Sequence, residues 1–307
     1  MPDDLCCHKN QTAAVRMKRA PVNEKRSGAG RTEDGKKEYR IMEKQWTPRQ
    51  EEVKQKFIEA RGKWKWSAMW DTILELDPDI IDAYADYSSV AEKREVLELK
   101  MRKLICVAID SVTGCLNANG LKNHMKHSLQ LGISVAEILE TLEITSMVGS
   151  CTYDLGMPLL IDAMQARGVS IAAIELDDRQ KALKKQYIES HNGYWTDAKE
   201  NILKLDPDYF ETFTKFEEVP AKSGPLSEKE RELLYIAVHA APVTLHRDAL
   251  KYHIDRALEC GATMQEIAEV FEIVSTLGIH AITMGVPILK EAIAEVEAEK
   301  AAEQKAE

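Results

Sequence analysis

Glu232, His239, His246 and His253 crowd into one stretch, ELLYIAVHAAPVTLHRDALKYH. An imidazole titrates near neutral pH, so it can hold a proton and pass it on, and a nearby carboxylate can orient the ring that does so. Pro242 breaks the apolar run, and Thr244 predicts an N-cap for a helix running from Leu245 to the helix-stopping Gly261. Leu250, Ile254, Ala257 and Leu258 recur at helical spacing on that helix. His246 and His253, seven apart, then share one face, and Glu232 sits on the preceding helix, which leads into the same corner. Two imidazoles two turns apart stand roughly 10 Å from each other, too far to share one ion, so no metal is expected from that pair. His239 and His280 lie in apolar runs, where a packing role is the commoner one.

The same stretch exists twice. Sliding the chain by 129 places lays LELDPDIIDAY (Leu74 to Tyr84) on LKLDPDYFETF (Leu203 to Phe213) and puts His124 on His253, Gly132 on Gly261, Gly149 on Gly278 and Pro158 on Pro287. About a third of the positions from Ile73 to Leu160 match their partners at this fixed offset, which marks a tandem duplication. The expected organisation is a disordered, locally basic tail over 1–44, a first repeat over 45–170, a second over 171–296 and an acidic, Ala-rich tail over 297–307.

The elements that position these residues read as helices throughout. Thr47 and Pro48 start the first, and Trp64, Trp66, Trp70, Tyr187 and Trp195 are expected to pack between helices. Ser227 with Glu230, Ser134 with Glu137 and Thr263 with Glu266 spell capping boxes. Gly149 and Gly278 interrupt the helices that follow, and Pro158 and Pro287 are expected to start the last helix of each repeat. No segment alternates with period two between turn signals, so the fold class is all-α, two tandem helical repeats.

The net charge of −10 argues against nucleic acid as a partner. No apolar run reads as a membrane span and no signal-peptide core follows the N-terminus, which points to a cytoplasmic protein with no membrane partner. Cys6, Cys7, Cys106, Cys115, Cys151 and Cys260 form neither a C-x-x-C pair nor a disulfide framework.

Glu232–Leu233–Leu234, His253, Ala257, Leu258, Gly261, Glu266, Ile267 and Glu269, with Leu104, His124, Leu129, Gly132, Glu137, Ile138 and Glu140 in the first copy, resemble the carboxymuconolactone decarboxylase family, whose redox branch is the alkylhydroperoxidase-D-like proteins. The redox branch carries C-x-x-C-x-x-x-H. Here its cysteine places hold His246 and Ala249 before His253, and Asn117 and Gly120 before His124, so both thiols are missing from both copies. Glu232 also stands about two residues farther from His246 than the family's glutamate does from its first cysteine.

The resemblance implies a lyase or isomerase with no cofactor, acting on a small carboxylated substrate from aromatic degradation. His253, His246 and Glu232 would be catalytic, Arg247, Lys251 and His239 would contact the substrate, and His124 and Asn117 would be the first-repeat counterparts. It also implies a homo-oligomer, a trimer of two-repeat chains forming a pseudo-hexamer. The competing expectations are an atypical thiol-dependent antioxidant protein and a catalytically dead scaffold.

Overall fold

Thr47 caps the first helix: its hydroxyl accepts from the Gln50 N–H, the Gln50 side chain returns the favour to the Thr47 N–H, and Pro48 takes the first helical position. From there the computed structural model, which describes residues 45–115 and 117–306, holds α-helices and short 3₁₀ turns and, among those residues, no strand. The expected tail over 1–44 lies outside the described residues.

The first half runs α1 (Pro48–Arg61), α2 (Ala68–Leu76), α3 (Pro78–Ser88), α4 (Val90–Arg94), α5 (Leu99–Ser111), α6 (Ala118–Gln130), α7 (Val135–Ser146) and α8 (Cys151–Gln165). The second half repeats the order as α9 (Asp178–Ser190), α10 (Asp197–Leu205), α11 (Pro207–Glu217), α12 (Val219–Ser223), α13 (Glu228–Ala240), α14 (Arg247–Glu259), α15 (Met264–Ser275) and α16 (His280–Ala306). The three capping boxes form at the N-termini of α7, α13 and α15.

The halves share their interior. One core joins α5 and α7 to α13 and α15 through Leu104, Ile105, Ala108, Ile144, Leu233, Ile236, Ala237, Val270 and Val274. Two smaller cores flank it, and each is closed by a helix from the opposite half. Ile282 and Val286 of α16 pack on Phe57, Trp70, Ile73 and Tyr84, while Met157 of α8 joins Tyr187, Ile202 and Phe210. Trp66, Trp70 and Trp195 pack in these cores as expected, whereas Trp64 stacks on His127, ring centroids 4.1 Å apart, and meets His124 edge-on.

The exchange extends to buried carboxylates. Glu140 of α7 accepts from the Leu226 N–H at 2.7 Å and faces Arg231; at the equivalent place Glu269 of α15 accepts from the Val96 N–H at 2.9 Å and faces Arg102. Both carboxylates are about 1% exposed. A buried carboxylate is tolerated only when hydrogen-bonded and paired, so each half supplies what the other half's glutamate requires.

Four sequence expectations are corrected. Pro158 and Pro287 lie inside α8 and α16 instead of starting them. Proline removes one ladder bond, but Met157 on one side and Ile282 and Val286 on the other dock into the flanking cores and hold the segments helical. Gly149 and Gly278 fall in 3₁₀ turns, Met147–Ser150 and Thr276–Ile279, that separate α7 from α8 and α15 from α16. Residues 297–306 continue α16, because their Ala, Glu and Lys are strong helix formers. Finally, Met264–Lys305 is long and apolar enough to cross a membrane by length and composition, but its first 12 residues, α15, bury Ile267, Val270, Ile273 and Val274 in the central core.

Gly224 shows how tightly the exchange is packed. A Cβ there would lie 2.0 Å from the Glu140 carboxyl carbon, so Gly224→Ala is expected to cost about 1–3 kcal/mol by overpacking. Urea unfolding of a double-mutant cycle checks the cause: in a Glu140→Ala background, where the carboxylate is gone, Gly224→Ala should add almost nothing.

Candidate active site

His253 lies one face in from the solvent side of α14, and Glu232 sits one turn into α13. The two helices pack against each other, which brings His253 Nδ1 to 2.7 Å from Glu232 Oε2. Tyr235 of α13 stacks on the His253 ring, centroids 4.4 Å apart and planes 11° from parallel; Tyr252 meets it edge-on at 5.0 Å and His239 lies nearly parallel at 5.2 Å. The imidazole is therefore fixed by rings around it and by the carboxyl at Nδ1, leaving Nε2 as the nitrogen that Glu232 does not engage.

Glu232, Tyr235, His239, Tyr252 and His253 line a cavity of about 190 Å³, joined by Tyr194, Lys199, Glu217 and Asp154. Burial pushes the Glu232 carboxyl up to about 8 and drives the His253 ring well below its ordinary value. Desolvation opposes charge on either partner, so near neutral pH the pair is neutral: Glu232 carries the proton and donates it to Nδ1, and Nε2 keeps its own. His239 is likewise held neutral by burial.

The structure brings Glu232, His253 and His239 together but places three other predicted residues elsewhere. Arg247 and Lys251 are exposed on the far side of α14, and Lys251 pairs with Asp255; positions two and six residues from His253 turn away at 100° per residue. Lys199 of α10 and Arg231 of α13 are cations in the cavity lining, and Arg231 is already paired with Glu140. Lys199 is buried, makes no ion pair among the described residues, and its Nζ sits 4.7 Å from the Tyr187 ring centre. Sequence reasoning missed it because α10 is more than fifty residues from His253 and carries no motif.

His246 is not on the helix face shared with His253. Thr244 and Leu245 close a turn on Ala241, Leu245 adopts a left-handed φ of 43°, and His246 itself is the N-cap, its Nδ1 accepting from the Ala249 N–H at 3.2 Å. Thr244 is thus a turn residue and the helix starts two residues later than expected. His246 faces His239 and Cys151, whose Sγ is 3.7 Å from His239 Nδ1. Cys151 comes from α8 of the first half and escaped sequence reasoning for that reason.

The first half builds the same corner with different chemistry. Lys103 stands at the Glu232 position, and His124 Nδ1 is buried without a partner. Burial, then the nearby Lys65 and Lys103 ammonium groups, push His124 down to about 3. Asn117 caps α6 as His246 caps α14, and its amide contacts His280 Nε2 at 3.0 Å while Cys115 Sγ contacts His280 Nδ1 at 3.1 Å. Burial pushes the adjacent Asp110 up to about 7. His124 Nε2 stands 3.9 Å from Asp110 Oδ2, so this corner also holds a carboxyl near its histidine, but not one hydrogen-bonded to it as Glu232 is to His253.

A sequence profile of the carboxymuconolactone decarboxylase family matches residues 207–298, the stretch that holds Glu232, His239, His246 and His253. A solved structure from Burkholderia xenovorans LB400, named "putative gamma-carboxymuconolactone decarboxylase subunit", superposes with a TM-score of 0.74 at 35% identity, covering 80% of this chain and 98% of its own. The chain belongs to the carboxymuconolactone decarboxylase family. Among curated proteins none matches it. The all-α fold is shared with that structure, and both missing cysteine places are filled here by a capping residue (Asn117, His246) and a small residue (Gly120, Ala249) at the start of α6 and α14.

The raised Glu232 pKa has a measurable consequence for stability. The folded state binds this proton more tightly than the unfolded state, whose carboxyl titrates near 4.5. Its contribution is therefore full below about pH 4.5 and is lost as pH rises through about 8. Urea midpoints measured across that window should fall for the wild type relative to Glu232→Gln, which cannot ionise; parallel curves would place the proton elsewhere.

Proposed function

We propose that this protein is a lyase that decarboxylates a small carboxylated unsaturated lactone, with His253 as proton donor and Glu232 as its proton source. The observation that carries this reading is the 2.7 Å Glu232–His253 contact in a cavity wall, where burial favours the neutral forms of both. Loss of CO₂ breaks a C–C bond and leaves its electron pair on carbon as an enolate-like carbanion. His253 Nε2–H protonates that carbon while Nδ1 takes the Glu232 carboxyl proton; solvent then returns a proton to Nε2 as the Nδ1 proton goes back to Glu232. The chain's own groups complete this transfer. Lys199, buried among Tyr187 and Tyr194, is the cation for a substrate carboxylate that is kept, and the tyrosines around it give a ring-sized substrate a flat apolar wall.

His253→Gln should lower turnover of carboxymuconolactone-type acids by about 10²–10⁴, the usual worth of a positioned proton donor, while circular dichroism stays native. His124→Gln should matter little, since Lys103 replaces the acid there. Wild-type turnover should fall as pH rises through about 8, where Glu232 loses its proton. Hydroperoxide turnover with a thiol reductant that disappears on replacing all six cysteines would instead support the antioxidant reading. No turnover of either kind would leave a scaffold.

Two equivalent apolar stripes support the proposed assembly. Leu155, Leu159 and Leu160 on α8 and Met284, Ile288 and Leu289 on α16 are all exposed and stand 129 residues apart in pairs. Such paired stripes favour burial against further copies, which supports a homotrimer of two-repeat chains. Leu159→Lys with Ile288→Lys should reduce the mass measured by light scattering at micromolar concentration; an unchanged mass places the interface elsewhere.

A further inference from the structure

Each corner of the molecule is completed by the first residue of a helix from the opposite half: Cys151 opens α8 and faces His239 and His246, and His280 opens α16 and faces Asp110, Cys115 and Asn117. These are equivalent places, 129 residues apart. They differ in how well their polar atoms are satisfied. Both ring nitrogens of His280 already have partners, at 3.1 Å from Cys115 and 3.0 Å from Asn117. At the other corner the Cys151 thiol stands 3.7 Å from His239, a looser contact, with His246 completing a set of ligand atoms all within 4.8 Å of one another.

We propose that Cys151, His239 and His246 form a binding site for a zinc-class divalent cation, with a fourth position open at the edge of the cavity. One thiolate and two imidazoles are the donor set that borderline N/S-preferring cations take. A tetrahedral ion with bonds of about 2.3 Å to sulfur and about 2.0 Å to nitrogen has an S···N edge of about 3.5 Å, and the Cys151–His239 separation of 3.7 Å is close to it. Of the three ligands His239 lines the cavity, as do Ser150 and Asp154 on either side of Cys151, which puts the proposed ion at the cavity's edge. Three protein ligands with one open place is the arrangement of a reactive zinc rather than a structural one.

The identity of residue 246 supports the assignment. Imidazole is not a preferred N-cap, and the first half meets the same capping need with Asn117. Capping alone therefore does not call for histidine here. Binding the cation releases the thiol proton of Cys151. His246 exchanges its 3.2 Å contact with the Ala249 N–H for a metal bond, either by presenting that nitrogen or by moving its ring proton onto it. Neither Glu232 nor His253 is a ligand, although the His239 ring lies against His253, so metal binding and the His253–Glu232 reading are tested by separate readouts.

The test is a Co²⁺ and Zn²⁺ titration of the chelator-stripped full-length chain under reducing conditions. One equivalent of Co²⁺ should give a thiolate-to-cobalt charge-transfer band that Zn²⁺ displaces. Cys151→Ser should abolish the band. His246→Asn installs the first half's cap, so it should keep the native melting temperature while weakening Zn²⁺ binding about tenfold or more, since even second-shell losses reach that size. Cys115→Ser and His253→Gln should leave the band intact. The proposal is overturned by the absence of any band, by a band that survives Cys151→Ser, or by one that vanishes in Cys115→Ser, which would place the cation at the Asp110–Cys115–His280 corner.

Discussion

Two buried carboxylates, Glu140 and Glu269, hold the structure to its architecture. Each projects from one half into the other and is satisfied there by a backbone N–H and faced by an arginine. A carboxylate this deeply buried would be strongly unfavourable without those partners, so neither half can close alone. The same exchange appears in the apolar packing, where α8 and α16 close the flanking cores of the opposite halves. Because α5, α7, α13 and α15 share one interior, the position of every residue in either corner depends on both halves.

This interlocking brings the reactive groups together. Cys151 reaches His239 and His246, and His280 reaches Asp110, only because the last helix of each half is carried across. It also gives the corners a common backbone on which side chains have diverged. His246 and Asn117 cap equivalent helices and their N–H groups bond to equivalent carbonyls, those of His239 and Asp110. The exchange of Glu232 for Lys103 then changes what the matched histidines can do. His253 is hydrogen-bonded to a carboxyl that burial holds protonated, whereas His124 lies among Lys65 and Lys103 with the Asp110 carboxyl at 3.9 Å. One scaffold thus carries two corners in which the matched histidine meets its carboxyl differently.

Burial is the lever in both cases. Desolvation of the Glu232–His253 pair leaves it neutral near pH 7, and the surrounding Tyr235, Tyr252 and His239 rings restrict the imidazole to one orientation. In water the same carboxyl would be ionised and the same ring free to turn. The cavity with its unpaired Lys199 supplies the binding half of that chemistry, and the family membership places it on a fold that other members share.

The sequence alone determined what depends on local spacing and on internal self-comparison. The helical periodicity, the capping boxes at Ser134, Ser227 and Thr263, the duplication at an offset of 129, and the placing of Glu232 and His253 on consecutive helices that lead into one corner were all legible there. Their contact was not, because the loop around Pro242 is longer than the family spacing. Tertiary structure decided what depends on contacts far apart in the chain. It placed Lys199 rather than Arg247 or Lys251 in the cavity, set Cys151 beside His239 across 88 residues, and moved His246 from the shared helix face to the cap. It also carried α8 and α16 helically through Pro158 and Pro287, because docking into the opposite half outweighs one lost ladder bond. A period read along one helix says which way a side chain faces; which half of the molecule stands opposite is fixed only when both halves bury their surfaces together.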